Sequence, residues 1–174
     1  MNGKMVVAVM IASCLWAGNA FCGDWKLYGV SSPAAGTTEY MFYDTGTVLD
    51  ANGSVKLWIK TVLSDAMEKV STNAAVVERA AAKVAKGYVP PITGIYGTIA
   101  NAALLEEAAN EPSLRSRAEI LYQIDCREKK YRTVSGATFN KVGLAEFRFG
   151  ISKWDGIAPK SNADNLVRMV CGPK

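Results

Sequence analysis

The period of the hydrophobic pattern changes twice along this 174-residue chain. From Val55 to Val62, apolar and polar residues alternate, as expected for a strand with one buried face. From Met67 to Val84, apolar residues instead recur every three or four positions, which is the spacing of a helix face. Alternation returns at Glu119. This order predicts an α+β fold in which a helical segment is inserted between strands of a single sheet.

Short turns between the first strand candidates predict that they pair antiparallel, as a meander. These candidates are 25–30, 39–44 and 55–62. Asn52-Gly53, just before the third, is a strong two-residue hairpin signal. Later strand candidates are 119–126, 131–134 and 139–149, the last interrupted by Gly143. Ser161 can then cap a short C-terminal helix that begins at Asn162.

The inserted segment, about 65–118, reads as a helical hairpin. Its first helix has the apolar stripe Met67, Val70, Ala74, Val77, Ala81 and Val84. Gly87 is suited to end that helix, and a second helix is predicted from Thr98 to Ala109. The stripe has two interpretations: it packs against the second helix, or it forms the seam of a homodimer.

The first twenty residues have the pattern of a secretory signal peptide. Lys4 precedes an apolar run from Met5 to Leu15, and small residues follow at 17–20. Cleavage before Phe21 fits, and so does cleavage before Gly23, so the signal ends between residues 20 and 22. A lipoprotein signal ending at Cys14 is the alternative. No other segment is long and apolar enough to span a membrane.

Export changes how the four cysteines are interpreted. Cys14 leaves with the signal, and Cys22 lies at the cleavage zone. Cys126 and Cys171 remain, and in an oxidising compartment they predict one disulfide, worth roughly 4–5 kcal/mol in the chain-entropy model. Two separate buried thiols are the other interpretation.

Composition and motifs argue against catalysis. The chain has no histidine, which excludes His-based triads and His metal sites. It also lacks a Ser-x-x-Lys pair, a phosphate-binding glycine loop and a Cys-x-x-Cys pair. Glu106 and Glu107 point about 100° apart on a helix and are predicted to be a solvated face. We therefore predict a protein that is not an enzyme and has no cofactor, with a carboxylate-based hydrolase as the alternative.

The charge is mildly basic and spread along the chain. The net charge is +4, and loss of Lys4 with the signal leaves +3. This excludes nucleic acid as the expected partner, and it allows weak association with an anionic membrane surface.

Two clusters are candidates for binding. Lys56, Trp58 and Lys60 form a basic-aromatic stripe on one strand face, where an exposed Trp would anchor a partner. The alternative is that a helix covers Trp58 while the lysines extend outward. A second cluster, Arg127, Lys129, Lys130 and Arg132, is either a binding patch or a solvated turn.

Several short segments, in order, resemble the surface-adhesin protein E-like family of bacterial envelope proteins. The matching segments are Asp24–Gly29, Tyr43-Asp44, Val55–Lys60, Leu121–Cys126, Lys130–Arg132, Trp154, Ile157–Ser161 and Val170-Cys171. They cover most of residues 21–174 outside the insertion.

The resemblance implies a small antiparallel sheet with a C-terminal helix tied across one face by a Cys126–Cys171 disulfide. It brings no catalytic residues. The expected function is binding of a protein or envelope component, in the periplasm or at the surface of a Gram-negative-type bacterium. The alternatives are a periplasmic assembly subunit that dimerises through the insertion, and a small-ligand sensor with a pocket between sheet and helix.

Overall fold

The computed structural model describes residues 23–34, 36–47, 49–51, 53–90 and 98–172. The predicted signal peptide, Cys14, Cys22 and Asn52 lie outside these residues. Within them the chain forms one antiparallel sheet and four α-helices. The strands are β1 (Trp25–Ala34), β2 (Thr37–Asp44), β3 (Leu49–Ala51), β4 (Ser54–Leu63), β5 (Ala118–Asp125), β6 (Lys130–Phe139), β7 (Ala145–Phe149) and β8 (Asp155–Gly156). The helices are α1 (Ser64–Ser71), α2 (Ala74–Ala85), α3 (Ile99–Ala109) and α4 (Asn162–Cys171).

The predicted α+β class and the meander are confirmed. The main path of the sheet is β1-β2-β4-β5-β6-β7, while β3 pairs with β4 and β8 pairs with β6. The turn into β4 uses Gly53 at φ 77°, in the left-handed region that a tight hairpin turn requires. The three helices of the insertion lie between β4 and β5 in the chain, yet these two strands pair directly in the sheet, with Trp58 opposite Leu121.

The two faces of the sheet have separate cores. On one face, which we call the insertion face, Trp25, Leu27, Phe42 and Val62 pack against helices α1–α3. On the other, which we call the α4 face, Tyr28, Tyr43, Leu57 and Ile124 pack against the C-terminal helix. The alternation of side chains along each strand divides neighbouring residues between these cores.

The insertion differs from a simple hairpin. The predicted first helix is two helices, because the chain breaks at Thr72-Asn73 and the Asn73 side chain caps α2 by accepting from Ala75 N at 2.9 Å. After this break, Val76 and Ala80 face the core, whereas Val77 is 47% exposed. In α2 the predicted stripe therefore does not pack inside the protein, since a helical phase carried across a break points the later residues in the wrong direction. Its other interpretation, the seam of a homodimer, stays a prediction.

The C-terminal helix lies across the sheet as the resemblance implied. Ser161 caps α4 by accepting from Asp164 N at 3.1 Å, and Leu166 is buried. A Cys126–Cys171 disulfide joins its last residue to the end of β5, with a Cα–Cα distance of 5.5 Å. This pairing confirms the predicted bridge and fits an exported protein.

The far end of the sheet was predicted less well. The weak candidate 139–149 is a hairpin and not a strand: β6 continues to Phe139, Gly143 turns the chain at φ 84°, and β7 returns. Phe149 packs over Gly136, where an added Cβ would lie 2.5 Å from the ring. Gly136 therefore accommodates an aromatic ring that partly shields the outermost strand pair.

Candidate functional site

The three residues of the predicted basic-aromatic stripe differ in how deeply they are buried. Lys56 is exposed, Trp58 is half-buried against the core under the insertion, and Lys60 is 6% exposed. All three lie on the insertion face, but they sit progressively deeper beneath the helices. Only Lys56 is positioned for contact with a partner.

Lys60 differs from the expectation of an outward-pointing lysine. Its ammonium donates to the carbonyl oxygen of Ala109 at 2.5 Å and lies 4.2 Å from the centroid of the Trp25 ring. Ala109 is the last residue of α3, so the cation neutralises the negative end of the helix dipole. Burial lowers the pKa of Lys60 to about 8, against the opposing effect of Glu119 and Asp44.

Glu106 is the clearest correction to the sequence analysis. The predicted solvated carboxylate is 0% exposed, and its oxygens lie 2.9 Å from Lys83 Nζ and 3.5 Å from Lys26 Nζ. It also accepts from the backbone N–H of Leu27 at 3.4 Å. In the sequence, position 106 lies four residues after Ala102 and three before Ala109, so the three share one helix face. Only the packing of α3 on the sheet shows that this face is buried.

Further ion pairs hold α2 to α3. Arg79 pairs with Glu107 at 3.3 Å and also with Glu111, and Lys83 bridges to Glu107 at 3.2 Å. Burial lowers the pKa of Lys83, but the hydrogen bonds and charges of Glu106 and Glu107 outweigh burial and raise it. These ion pairs therefore stabilise the packing of the inserted helices against each other and against the sheet.

A second set of polar residues forms a continuous row on the open part of the insertion face. Lys56 on β4 lies opposite Gln123 on β5, and Gln123 lies opposite Arg132 on β6. Gln123 Oε1 accepts from Arg132 Nε at 2.9 Å and from Nη2 at 2.7 Å. The guanidinium carbon lies 4.6 Å from the centroid of the Trp154 ring. We call Lys56, Gln123, Arg132 and Trp154 the basic row.

The basic row combines one residue from each of the two predicted clusters with two that sequence reasoning missed. Trp154 is 39% exposed, and the β6–β8 pairing, with Tyr131 opposite Asp155, places it beside Arg132. No local pattern could indicate this position, since Trp154 is in a loop when read from sequence. The other cations of the predicted turn, Arg127 to Lys130, stay exposed.

The α4 face contains a cavity of about 250 Å³. It lies between the sheet and the first half of α4, and its lining residues are Tyr28, Met41, Tyr122, Ile124, Tyr131, Ile157, Ser161, Asn162, Ala163, Leu166 and Val167. The rings of Tyr122 and Tyr131 are 5.2 Å apart and tilted by 56°. Burial, together with Tyr131, raises the pKa of Tyr122 to about 12.

The described residues lack two features that would suggest a site or a membrane span. They contain no group of three or more His, Cys, Asp or Glu side chains that could hold a metal ion. None of the helices in those ranges is long and apolar enough to cross a membrane.

The fold defines this chain as an α+β domain whose sheet is covered by inserted helices on one face and by a disulfide-linked helix on the other. No family model, no curated protein and no solved structure matches the chain.

Proposed function

We propose that this is an exported, non-catalytic binding protein of a Gram-negative-type envelope, related to the surface-adhesin protein E-like proteins. The basic row is its binding surface, and its partner is a protein or other envelope component with carboxylate or phosphate groups. The disulfide and the position of the C-terminal helix support the relationship. The proposal extends to neither host binding nor a lipid anchor.

The observation that supports binding at this surface is the preorganisation of Arg132. Gln123 and Trp154 fix its guanidinium on two sides, and only two of the five N–H groups are used by Gln123. An Arg held in this way loses little side-chain entropy when it binds an anion bidentately. Trp and Arg are also among the residue types most enriched in energetically dominant interface contacts.

Charge and shape restrict the partner. Lys56 and Arg132 lie on alternate strands, with Gln123 between them, so their backbones are about 10 Å apart. Two cations and an aromatic ring that lie side by side across neighbouring strands suit an extended acidic segment better than a small molecule, because such a segment can reach all of them. Binding should therefore weaken as ionic strength rises.

Photocrosslinking in cells tests this function. A photoreactive phenylalanine at position 154 should crosslink to a discrete envelope partner, whereas the same group at Ala100, an exposed site on α3, should not. Lys56→Glu, a change at an exposed residue, should abolish the crosslink without unfolding the protein. Equal crosslinking from both positions, or a crosslink that survives Lys56→Glu, would contradict the proposal.

A second candidate function is favoured by a different observation. Ala74, Val77 and Ala81 of α2 are exposed, so part of the predicted stripe is available to a second copy of the chain. In this case the protein would be an assembly subunit that dimerises through the insertion.

Sedimentation distinguishes the two candidates. A dimer through α2 should dissociate in Val77→Lys but not in Val89→Lys, which places the same charge at an exposed valine outside the helices. A monomeric wild-type protein, or a dimer that tolerates Val77→Lys, would exclude the assembly role.

A further inference from the structure

The cavity on the α4 face lies on the opposite side of the sheet from the basic row and is independent of it. We propose that it is a binding site for a small, uncharged aromatic molecule with one hydrogen-bond acceptor. The charge, size, polarity and rigidity of the cavity all favour such a ligand. It goes beyond the proposed function, which concerns the other face.

The lining has no formal charge. All of its residues are apolar, hydroxyl-bearing or amide side chains. A charged ligand would therefore lose its hydration without gaining a counter-ion, which is a large penalty. The Tyr122 phenol, like any tyrosine, is protonated at neutral pH and is able to donate a hydrogen bond, and burial raises its pKa further.

The volume limits the ligand to one or two small rings. A cavity of about 150 Å³ holds benzene, so about 250 Å³ admits a molecule the size of indole or a substituted benzene. The tilted pair Tyr122–Tyr131 and the sulfur of Met41 present surfaces that favour an aromatic guest.

The hydrogen-bonding groups point to an acceptor on the ligand. Ser161 Oγ already donates to Ala158 O at 2.7 Å and accepts from Asp164 N. The Asn162 amide donates to Val30 O at 3.0 Å and to Met41 Sδ at 3.5 Å. Tyr122 and Tyr131 also line the cavity, and each phenol can donate one hydrogen bond to an acceptor on the ligand.

The cavity is held open by its frame. The disulfide fixes the end of α4, and at its start an added Cβ on Gly29 would lie 2.6 Å from the Asn162 side chain. Close contact at one end and a covalent bond at the other leave α4 little freedom to collapse onto the sheet. A preformed site loses less free energy on binding than one that must be ordered.

Calorimetric or ligand-detected NMR titration of the oxidised protein tests the site with four named probes. Acetophenone and benzamide, two uncharged substituted benzenes with a carbonyl acceptor, should bind saturably, with Kd below about 1 mM. Benzoate, which has the shape of benzamide but a negative charge, should bind at least about tenfold more weakly. No saturable binding of acetophenone or benzamide, or equal binding of benzamide and benzoate, would overturn the proposal.

Variants locate the binding. Ala163→Leu fills the cavity and should weaken benzamide binding about tenfold, whereas Ala100→Leu, the same change on an exposed helix surface, should leave it unaltered. Tyr122→Phe should weaken benzamide about fivefold and leave toluene, the fourth probe, unaffected. Equal affinities in Ala163→Leu and Ala100→Leu would place the binding elsewhere and refute the assignment.

Discussion

Lys60 should make the stability of this protein rise with pH. Its pKa is about 8 in the folded protein and 10.5 when unperturbed. Between these values the unfolded chain binds more protons at this residue than the folded protein does. Linkage then requires the free energy of unfolding to increase as pH rises through that window. The cause is burial of the ammonium between the sheet and α3.

The magnitude follows from the two pKa values. The pKa difference of Lys60 reduces the free energy of unfolding by about 3 kcal/mol at pH 7, where the buried group is charged, and by about 1.4 kcal/mol at pH 9.5, where it is neutral only in the folded protein. The gain between them is about 2 kcal/mol. Above about pH 10 the raised pKa values of Tyr43 and Tyr122 act in the opposite direction, because the unfolded tyrosines ionise first.

Urea unfolding at about pH 7, 8.5 and 9.5 measures this gain. Lys60→Met removes the titrating group and should remove about 2 kcal/mol of the pH dependence, whatever it does to stability at neutral pH. Lys69→Met, at an exposed lysine on α1, is the matched control and should follow the wild type. If the free energy of unfolding rises equally with pH in Lys60→Met and in the wild type, the reasoning about the buried ammonium is refuted.

Three further predictions concern the frame of the molecule. Replacing Cys126 and Cys171 with serine removes a cross-link between residues 45 positions apart and should lower the free energy of unfolding in urea by about 4 kcal/mol. A loss below about 1 kcal/mol would contradict the loop-entropy estimate. Glu106→Gln leaves Lys26 and Lys83 without their buried counter-ion and should lower the free energy of unfolding by about 3 kcal/mol in the same assay. An unchanged free energy of unfolding would mean that the carboxylate contributes no net stability. Gly29→Ala forces a methyl group against Asn162 and should cost about 1–3 kcal/mol, whereas unchanged thermal unfolding would show that α4 can shift.

Local chemistry made several elements predictable. The alternation at Val55–Val62 identified β4, and Thr98 and Ser161 marked the starts of α3 and α4. Ser161 caps α4 as expected, and Thr98, for which no capping role was predicted, caps α3. These signals are readable because a cap or an alternating face needs only residues within one or two turns.

Positions that depend on distant contacts were misread. Val77 was placed on the same helix face as Met67 because a single helix was assumed across Thr72-Asn73, and Glu106 was placed in solvent because acidic residues usually lie there. Each assignment needed knowledge of which helix face meets the sheet. Similarly, Trp154 joins Arg132 only because β8 pairs with β6.

The sequence by itself determined the α+β class, the main strands with a helical insertion between them, and the two cysteines that form the disulfide. Periodicity, capping and cysteine count are properties of local chain segments and composition. Tertiary structure alone decided that Lys60 and Glu106 are buried, that Lys56 and Arg132 align through Gln123, and that a cavity remains beneath α4. These outcomes depend on strand register and on the seating of helices against the sheet, where a shift of one residue exchanges buried and exposed faces.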